Sequence, residues 1–363
     1  MSTPRKLRIL HFAYDHPDNP WVGGGGAGRT WSVNKYLSER HDIRVYCGPF
    51  PDATPQDVPF KVRFTGEARR YVESRLKFMW EGRRVNAKPY DLIVEEFSFY
   101  APILSHFSNR PTVTILQSRH GLKALRYHPA YGWLSLLSQY CVVRRKRAVI
   151  LASEHLRPLI HPSARVAVIG QGADIPKDLP SPTEEYVLFL GRFDVRIKGL
   201  DILLKAWAKL PPNLSSMPLH LAGSGDEEGI HTLMRETGAR NVHLVGRLDH
   251  SEAMAAIRRA AFICVPSRDE GSPLVVYEAF ALGKPVIGSS IPALKPLIPD
   301  GIAGIQVPPG DPQALSKAIE SLLVDRAMRS RLAEGALRVG KEYSWERVAE
   351  RQEKFYWETI EGR

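Results

Sequence analysis

The sequence predicts an α/β protein of two doubly wound parallel sheets, and three observations carry that expectation. The chain has 363 residues, long for one domain and comfortable for two. Short apolar runs alternate with helical stretches twice over, which argues for parallel sheets with helices on both faces. Between the two alternations, residues 176–183 hold three prolines and mixed charge and read as a linker. Residues 1–180 are therefore expected to form one Rossmann-like domain and residues 184–343 another. The two are expected to face a central cleft, with residues 344–363 left as a final helix.

The elements follow in chain order. Residues 7–12 make a short apolar strand, and the glycine run Gly23–Gly26, Ala27, Gly28 leads into a helix starting near Arg29. Strands are expected at 43–46, 91–94, Thr112–Leu116, Ala148–Leu151 and 166–169. A second alternation begins at Tyr186 and runs to about Gly340. Trp345–Ile360 then has helical periodicity. There is no repeat of solenoid length and no low-complexity tract.

Composition excludes some classes. Apolar and charged fractions, 44% and 25%, are those of an ordinary globular protein. No apolar run approaches the length of a membrane span. The N-terminus is basic but lacks the apolar core of a signal peptide, since residues 7–12 include Arg8 and His11. Cys47, Cys141 and Cys264 lie far apart in or beside apolar runs, and read as reduced core residues of a cytoplasmic protein. The net charge of +11 is uneven: residues 1–180 hold 27 Lys+Arg against 15 Asp+Glu, residues 181–363 hold 23 against 24. Much of the excess lies between Arg69 and Lys88 and in Arg144–Arg147. It is either a solvated basic surface or one that attracts an anionic partner.

The most informative stretch is Glu270 to Glu278. Two acids flank seven residues that include Gly271, Ser272 and Pro273. Ser272 has the character of an N-cap and Pro273 of a first helical residue. N–H groups at such a helix start, near Ser272, Leu274 and Val275, can hold a phosphate. A carboxylate on either side can accept hydrogen bonds from sugar hydroxyls. The combination suits a nucleotide-sugar.

This segment resembles the E-x7-E motif of retaining glycosyltransferases of family 4, the group 1 type with the GT-B fold. Gly191-Arg192 and Lys198-Gly199 are similar to the family's "GR…KG" segment. Leu221–Gly225 resembles its glycine turn, 242–246 its next strand, and 279–287 the stretch after the second acid. The resemblance covers most of residues 185–320.

The resemblance implies roles. Arg192 and Lys198 would be two cations on the donor diphosphate, Glu270 would face the donor sugar, and Glu278 would hold the ribose hydroxyls. An Arg fork and a Lys point charge suit charge building up on a departing nucleotide. Backbone near Arg247 and Leu248 would contact the base. Gly25 and Gly26 would approach donor phosphates or acceptor. The family often carries a His after the fourth strand of the first domain. Here His120 arrives three residues late and Gln117 occupies the usual place, so either is a candidate. Glu95 and Glu96 end a strand and are either core-edge charges or acceptor contacts. The final helix is expected to cross back onto the first domain.

No Asp-x-Asp pair or zinc-spaced Cys/His cluster is present, which agrees with the family's metal-independent habit. The expectation is a retaining enzyme without cofactor, moving a sugar from a nucleotide-sugar to a hydroxyl acceptor: lipid-linked, glycan or small molecule. Tyr71, Phe78, Met79 and Trp80 among the cations of the first half would suit peripheral contact with an anionic membrane. No nucleic-acid module is recognisable. The rival readings are a GT-B-type nucleotide-sugar epimerase and a non-catalytic basic binding protein.

Overall fold

The computed structural model describes residues 5–21, 25–54, 57–97, 108–117, 133, 137, 143–176, 185–214 and 217–362. Its contacts divide the chain into two units, Met1–Gln171 with Trp345–Arg363, and Gly172–Ser344. The boundary thus falls at Gln171, ahead of the proline-rich stretch, most of which lies outside the described residues.

Among its described residues the first unit holds seven strands: β1 (Arg8–Ala13), β2 (Asp42–Cys47), β3 (Lys61–Phe64), β4 (Leu92–Glu96), β5 (Thr112–Leu116), β6 (Ala148–Leu151) and β7 (Arg165–Val168). They pair in parallel in the order β3-β2-β1-β4-β5-β6-β7. The chain reverses its direction of travel between β1 and β4, and ligands in such sheets bind beyond the carboxyl ends of strands at that point. The central strands are apolar without alternation because both faces are covered. Two elements here had no clear signature in the sequence: β3, and the helix α2 (Tyr71–Gly82).

Helix α1 (Gly25–Ser38) starts four residues earlier than expected, so Gly25 and Gly26 form its first turn rather than a loop. A side chain at Gly26 would lie 2.9 Å from Gln117 Oε1, so the absent Cβ lets Gln117 rest against that turn. Gly23 and Gly24 lie outside the described residues.

The last helix, which becomes α10 below, spans Trp345–Ile360 and packs on α1. Arg29 of α1 is fully buried. Its Nη2 donates to Gln352 Oε1 at 2.8 Å and its Nε to the Gly170 carbonyl at 3.1 Å. Arg40 and His41 both reach Glu353, at 2.7 and 2.9 Å. The C-terminal helix is therefore held by polar anchors as well as by apolar packing.

The second unit holds β8 (Tyr186–Leu190), β9 (Leu219–Ala222), β10 (Val242–Gly246), β11 (Ala260–Val265), β12 (Val286–Ser289) and β13 (Gly304–Val307). Their order is β10-β9-β8-β11-β12-β13, all parallel, with the reversal between β8 and β11. Its helices are α3 (Val195–Lys198), α4 (Leu200–Trp207), α5 (Glu227–Thr237), α6 (His250–Arg259), α7 (Leu274–Ala281), α8 (Pro312–Val324) and α9 (Arg326–Lys341). Alternate strand residues feed two cores. Val187 and Phe189 pack with Leu203 and Trp207, whereas Leu188 packs with Val276 and Phe280 on the other face. Cys47 and Cys264 are buried in apolar surroundings that push both thiols up, and Cys141 lies outside the described residues.

Gln352→Leu should remove the side-chain acceptor of a buried guanidinium while keeping its volume. A hydrogen bond to a charged group contributes about 1.5–3 kcal/mol, so the variant should unfold in less urea than the wild type. An unchanged midpoint would show that the Arg29–Gln352 bond adds nothing to the hold on α10.

Candidate active site

The site in the second unit is built where β8 and β11 end. After Leu190 the chain passes through Gly191 and Arg192. The Phe193 N–H then donates to the Ser224 carbonyl at 2.8 Å, joining this loop to the turn after β9. Gly223 makes that approach feasible: its φ is +149°, and a Cβ there would stand 1.8 Å from the Gly191 carbonyl oxygen. Asp194 caps the single turn of α3 by accepting from the Ile197 N–H at 3.0 Å. That turn ends at Gly199, with φ +68°, where a Cβ would come within 2.1 Å of the Pro266 carbonyl oxygen. Only glycine permits the β8 loop to lie so close to the end of β11.

This approach brings Lys198 to Glu270. Lys198 Nζ donates to Glu270 Oε1 at 2.7 Å, and Ser267 Oγ donates to the same oxygen at 2.7 Å. Both charged side chains are mostly buried. Arg268 fastens the loops further. Its N–H donates to the Ile197 carbonyl at 2.8 Å, and its guanidinium grips both Asp201 oxygens at 2.7 Å. Arg192 is exposed and makes no ion pair among the described residues.

Helix α7 begins one residue later than expected. Pro273 stands at the N-cap with an extended backbone, and no side chain caps the helix. Ser272 is not the cap: its hydroxyl meets the Tyr277 hydroxyl at 2.9 Å. The first-turn N–H groups of Leu274 and Val275 have no intrahelical acceptors, as at any helix start. The helix dipole adds partial positive charge there.

Glu278 lies one turn further on and is buried, with 6% of its surface exposed. Burial, then the charge of Asp174, pushes its carboxyl up to about 7. His250, the first residue of α6, places Nδ1 3.6 Å from Glu278 Oε1. Asp249 sets that position through a reciprocal capping box with Glu252. Arg247 and Leu248 lead from β10 into this cap; Arg247 is exposed, whereas Leu248 packs on the core beneath α7. Asp174, His250 and Ser267 thus stand in this candidate site although the sequence reading named none of them as site residues; Asp174 and Ser267 lie in segments, 172–174 and 266–267, that the resemblance covers. The Asp249 cap was the available signal for His250, and the short Gly-Ala-Asp run was the signal for Asp174.

The first unit gathers a different group beyond β1, β4 and β5. Glu96 accepts from Thr30 Oγ1 at 2.6 Å and from Gln117 Nε2 at 2.7 Å. His11 Nε2 stands 3.5 Å from Glu96 Oε1. Burial raises the Glu96 carboxyl, but His11, Arg29 and Thr30 outweigh it and hold the group below its ordinary value. Glu95, on the opposite face of the strand, is buried in an ion pair with Lys146 at 2.8 Å. Gln117 also reaches the Gly26 carbonyl at 3.4 Å, so Glu96, Gln117 and Gly26 form one cluster. His120 lies outside the described residues.

Comparison with known proteins bears on the family and the fold. Residues 171–339 match the family Glycosyl transferases group 1. The chain is similar to phosphatidyl-myo-inositol mannosyltransferase of Mycobacterium leprae, 33% identical over 177 residues, which are 48% of this chain and 46% of the relative. It is also similar to D-inositol 3-phosphate glycosyltransferase of Corynebacterium urealyticum, 32% identical over 217 residues, 53% of this chain and 51% of the relative. The match thus spans about half the length of these relatives. Among solved structures, sucrose-phosphate synthase of Thermosynechococcus elongatus superposes with a TM-score of 0.80 at 22% identity, over 99% of this chain and 100% of that one. Anabaena HepE in complex with UDP and glucose superposes at 0.74 with 18% identity, over 96% and 98%. These structures share the fold, two Rossmann-like parallel sheets of the GT-B class.

The Glu278 environment makes stability depend on pH. Between pH 4.5 and about 7 the folded chain keeps the Glu278 proton and the unfolded chain has released it. The folded state then binds more protons, so stability falls as pH rises, by roughly 3 kcal/mol across the window. Glu278→Gln should lose this fall, measured by urea unfolding at several pH values. Parallel pH profiles for the two proteins would assign the dependence elsewhere.

Proposed function

We propose, on the match of residues 171–339 to the Glycosyl transferases group 1 family, that the chain moves a sugar from a nucleotide-sugar to a hydroxyl acceptor with retention at the anomeric carbon. The observation that carries this reading is the convergence on one sheet reversal of the Lys198–Glu270 pair, the uncapped start of α7 and buried Glu278.

Each group has a role in the proposal. Ionised Glu278 accepts from the vicinal ribose hydroxyls, with the exposed His250 beside it. The N–H groups of Leu274 and Val275 hold phosphate oxygens, whereas Pro273 has no N–H to offer. The exposed Arg192 and the Lys198 ammonium offset the charge that grows on the diphosphate. Glu270, already held by Lys198 and Ser267, faces the donor sugar. The acceptor oxygen bonds to the anomeric carbon on the face from which the nucleotide departs. The departing phosphate oxygen takes the acceptor proton, so no protein nucleophile is required. Side-chain cations supply the charge stabilisation that a metal gives elsewhere, and the reaction is proposed to be metal-independent. The bound UDP and glucose in the HepE structure support a nucleoside diphosphate as the donor's leaving group here. The inositol-based names of the two relatives support a hydroxyl-rich acceptor. The Glu96–Gln117–Gly26 cluster is proposed to serve the sugar or acceptor.

Calorimetric titration with UDP, GDP and ADP should find one nucleotide that binds. Its affinity should rise roughly tenfold from pH 6 to pH 8 as Glu278 ionises. Glu278→Gln should bind more weakly and with a flatter profile. Binding of none of the three would overturn the donor assignment.

Lys198→Met should lower kcat about 10²–10³-fold while leaving nucleotide affinity within a few-fold, as for loss of one charge-stabilising donor. A loss below tenfold would remove Lys198 from that role. An inverted product anomer, read by NMR, would discard the retaining mechanism.

A further inference from the structure

Helix α2 turns one face inward and leaves an apolar stripe outward. Ser74 and Phe78 are buried, with Tyr71 and Met79 against the cluster of Leu10, Phe12 and Tyr46. The Arg75 guanidinium lies over the rings of Tyr14 and Tyr71, at 4.3 and 4.2 Å, which fixes the rotation of the helix. On the other side Val72, Leu76 and Trp80 are 62%, 59% and 60% exposed. At spacing i, i+4, i+8 they form one line roughly 12 Å long. An outward helix face is ordinarily polar, and scattered single exposures are common, but three aligned large apolar side chains are not.

Cations close both ends of this line. Arg69 and Arg70 precede the helix; Arg83, Arg84 and Lys88 follow it, and all five are exposed. The Arg84 guanidinium stands 5.1 Å from the centre of the Trp80 ring. Glu73 is engaged by Lys77 at 2.8 Å, and against the two remaining acids of the segment, Glu67 and Glu81, the five end cations leave a net positive charge. An apolar centre bounded by arginines and carrying a tryptophan has the layering of a headgroup boundary. Its side chains enter the acyl edge while the cations stay with lipid phosphates.

We propose that this face of α2 is a docking surface for an anionic lipid bilayer. A stripe of this length reaches the headgroup boundary and does not span the bilayer. A nucleic-acid groove would need cations along its length rather than an apolar centre. The surface is independent of the sugar-transfer reading, and its occupancy can be read with no donor present.

The test is sedimentation of the full chain with vesicles of phosphatidylcholine alone or mixed with phosphatidylglycerol. The mixed vesicles should bind at low salt and release at high salt, where screening shortens to about 3 Å. The exposed pair Leu76→Ser/Trp80→Ser should fold, shown by an unchanged melting temperature, yet bind at least tenfold more weakly. Arg69→Gln/Arg70→Gln/Arg84→Gln should lose roughly fivefold per cation and flatten the salt dependence. Three results would overturn the proposal: no binding to mixed vesicles at low salt, binding untouched by both variants, or self-association of the wild type that the serine pair abolishes while vesicle binding persists. Nucleotide titration of the same variants separates this outcome from any failure of the donor site.

Discussion

The close approach of the β8 loop to the end of β11 organises the second unit. Gly199 lies against the Pro266 carbonyl without a side chain, and Gly223 lies likewise against the Gly191 carbonyl. These two backbone contacts set three strand-end loops side by side. The Lys198–Glu270 pair and the Arg268–Asp201 pair then hold that arrangement. Removing one partner of a mostly buried pair leaves a desolvated charge, so the geometry is resistant to drift. A cation and a carboxylate 72 positions apart in sequence are thereby fixed before any ligand arrives.

Around this frame the electrostatics are deliberately uneven. Glu270 is satisfied by a lysine and a serine, whereas Glu278 is buried with another carboxylate, Asp174, in its field and an exposed histidine at its edge. Two acids eight positions apart are thus held in opposite states of support. Desolvation with no hydrogen-bond donor to Glu278 among the described residues makes the site receptive to hydroxyl groups, because a ligand that donates hydrogen bonds supplies that missing partner.

The first unit uses a different device. Buried Arg29 ties α1 to α10 through Gln352 and to the end of β7 through backbone carbonyls. The same α1 offers Thr30 to Glu96, and Glu96 holds Gln117 against Gly26. Two consecutive residues of α1 thus serve the two sides, Arg29 meeting the C-terminal helix and Thr30 the strand-end cluster.

The class of fold was legible in the sequence because parallel strands covered on both faces must be short, apolar and separated by helices. Runs such as those ending at Leu190 and Val265 have little choice of structure. Arg192, Lys198, Glu270 and Glu278 were legible as types at fixed spacing beside turn residues. The start of α7 was misread because Ser272 and Pro273 carry cap preferences, yet the Tyr277 hydroxyl offered Ser272 a better partner. Of the residues singled out for membrane contact, Tyr71, Phe78 and Met79 pack inward and only Trp80 faces out, in line with Val72 and Leu76, which the sequence reading did not single out. Val72, Leu76 and Trp80 could equally have faced the core, and the burial of Phe78 and the seating of Arg75 decided otherwise. By itself the sequence determined local periodicity and the chemistry available. Only the tertiary structure decided which acid meets Lys198, which carboxylate lacks a donor and which helix face meets solvent. Those depend on distance through space between residues that the chain keeps far apart.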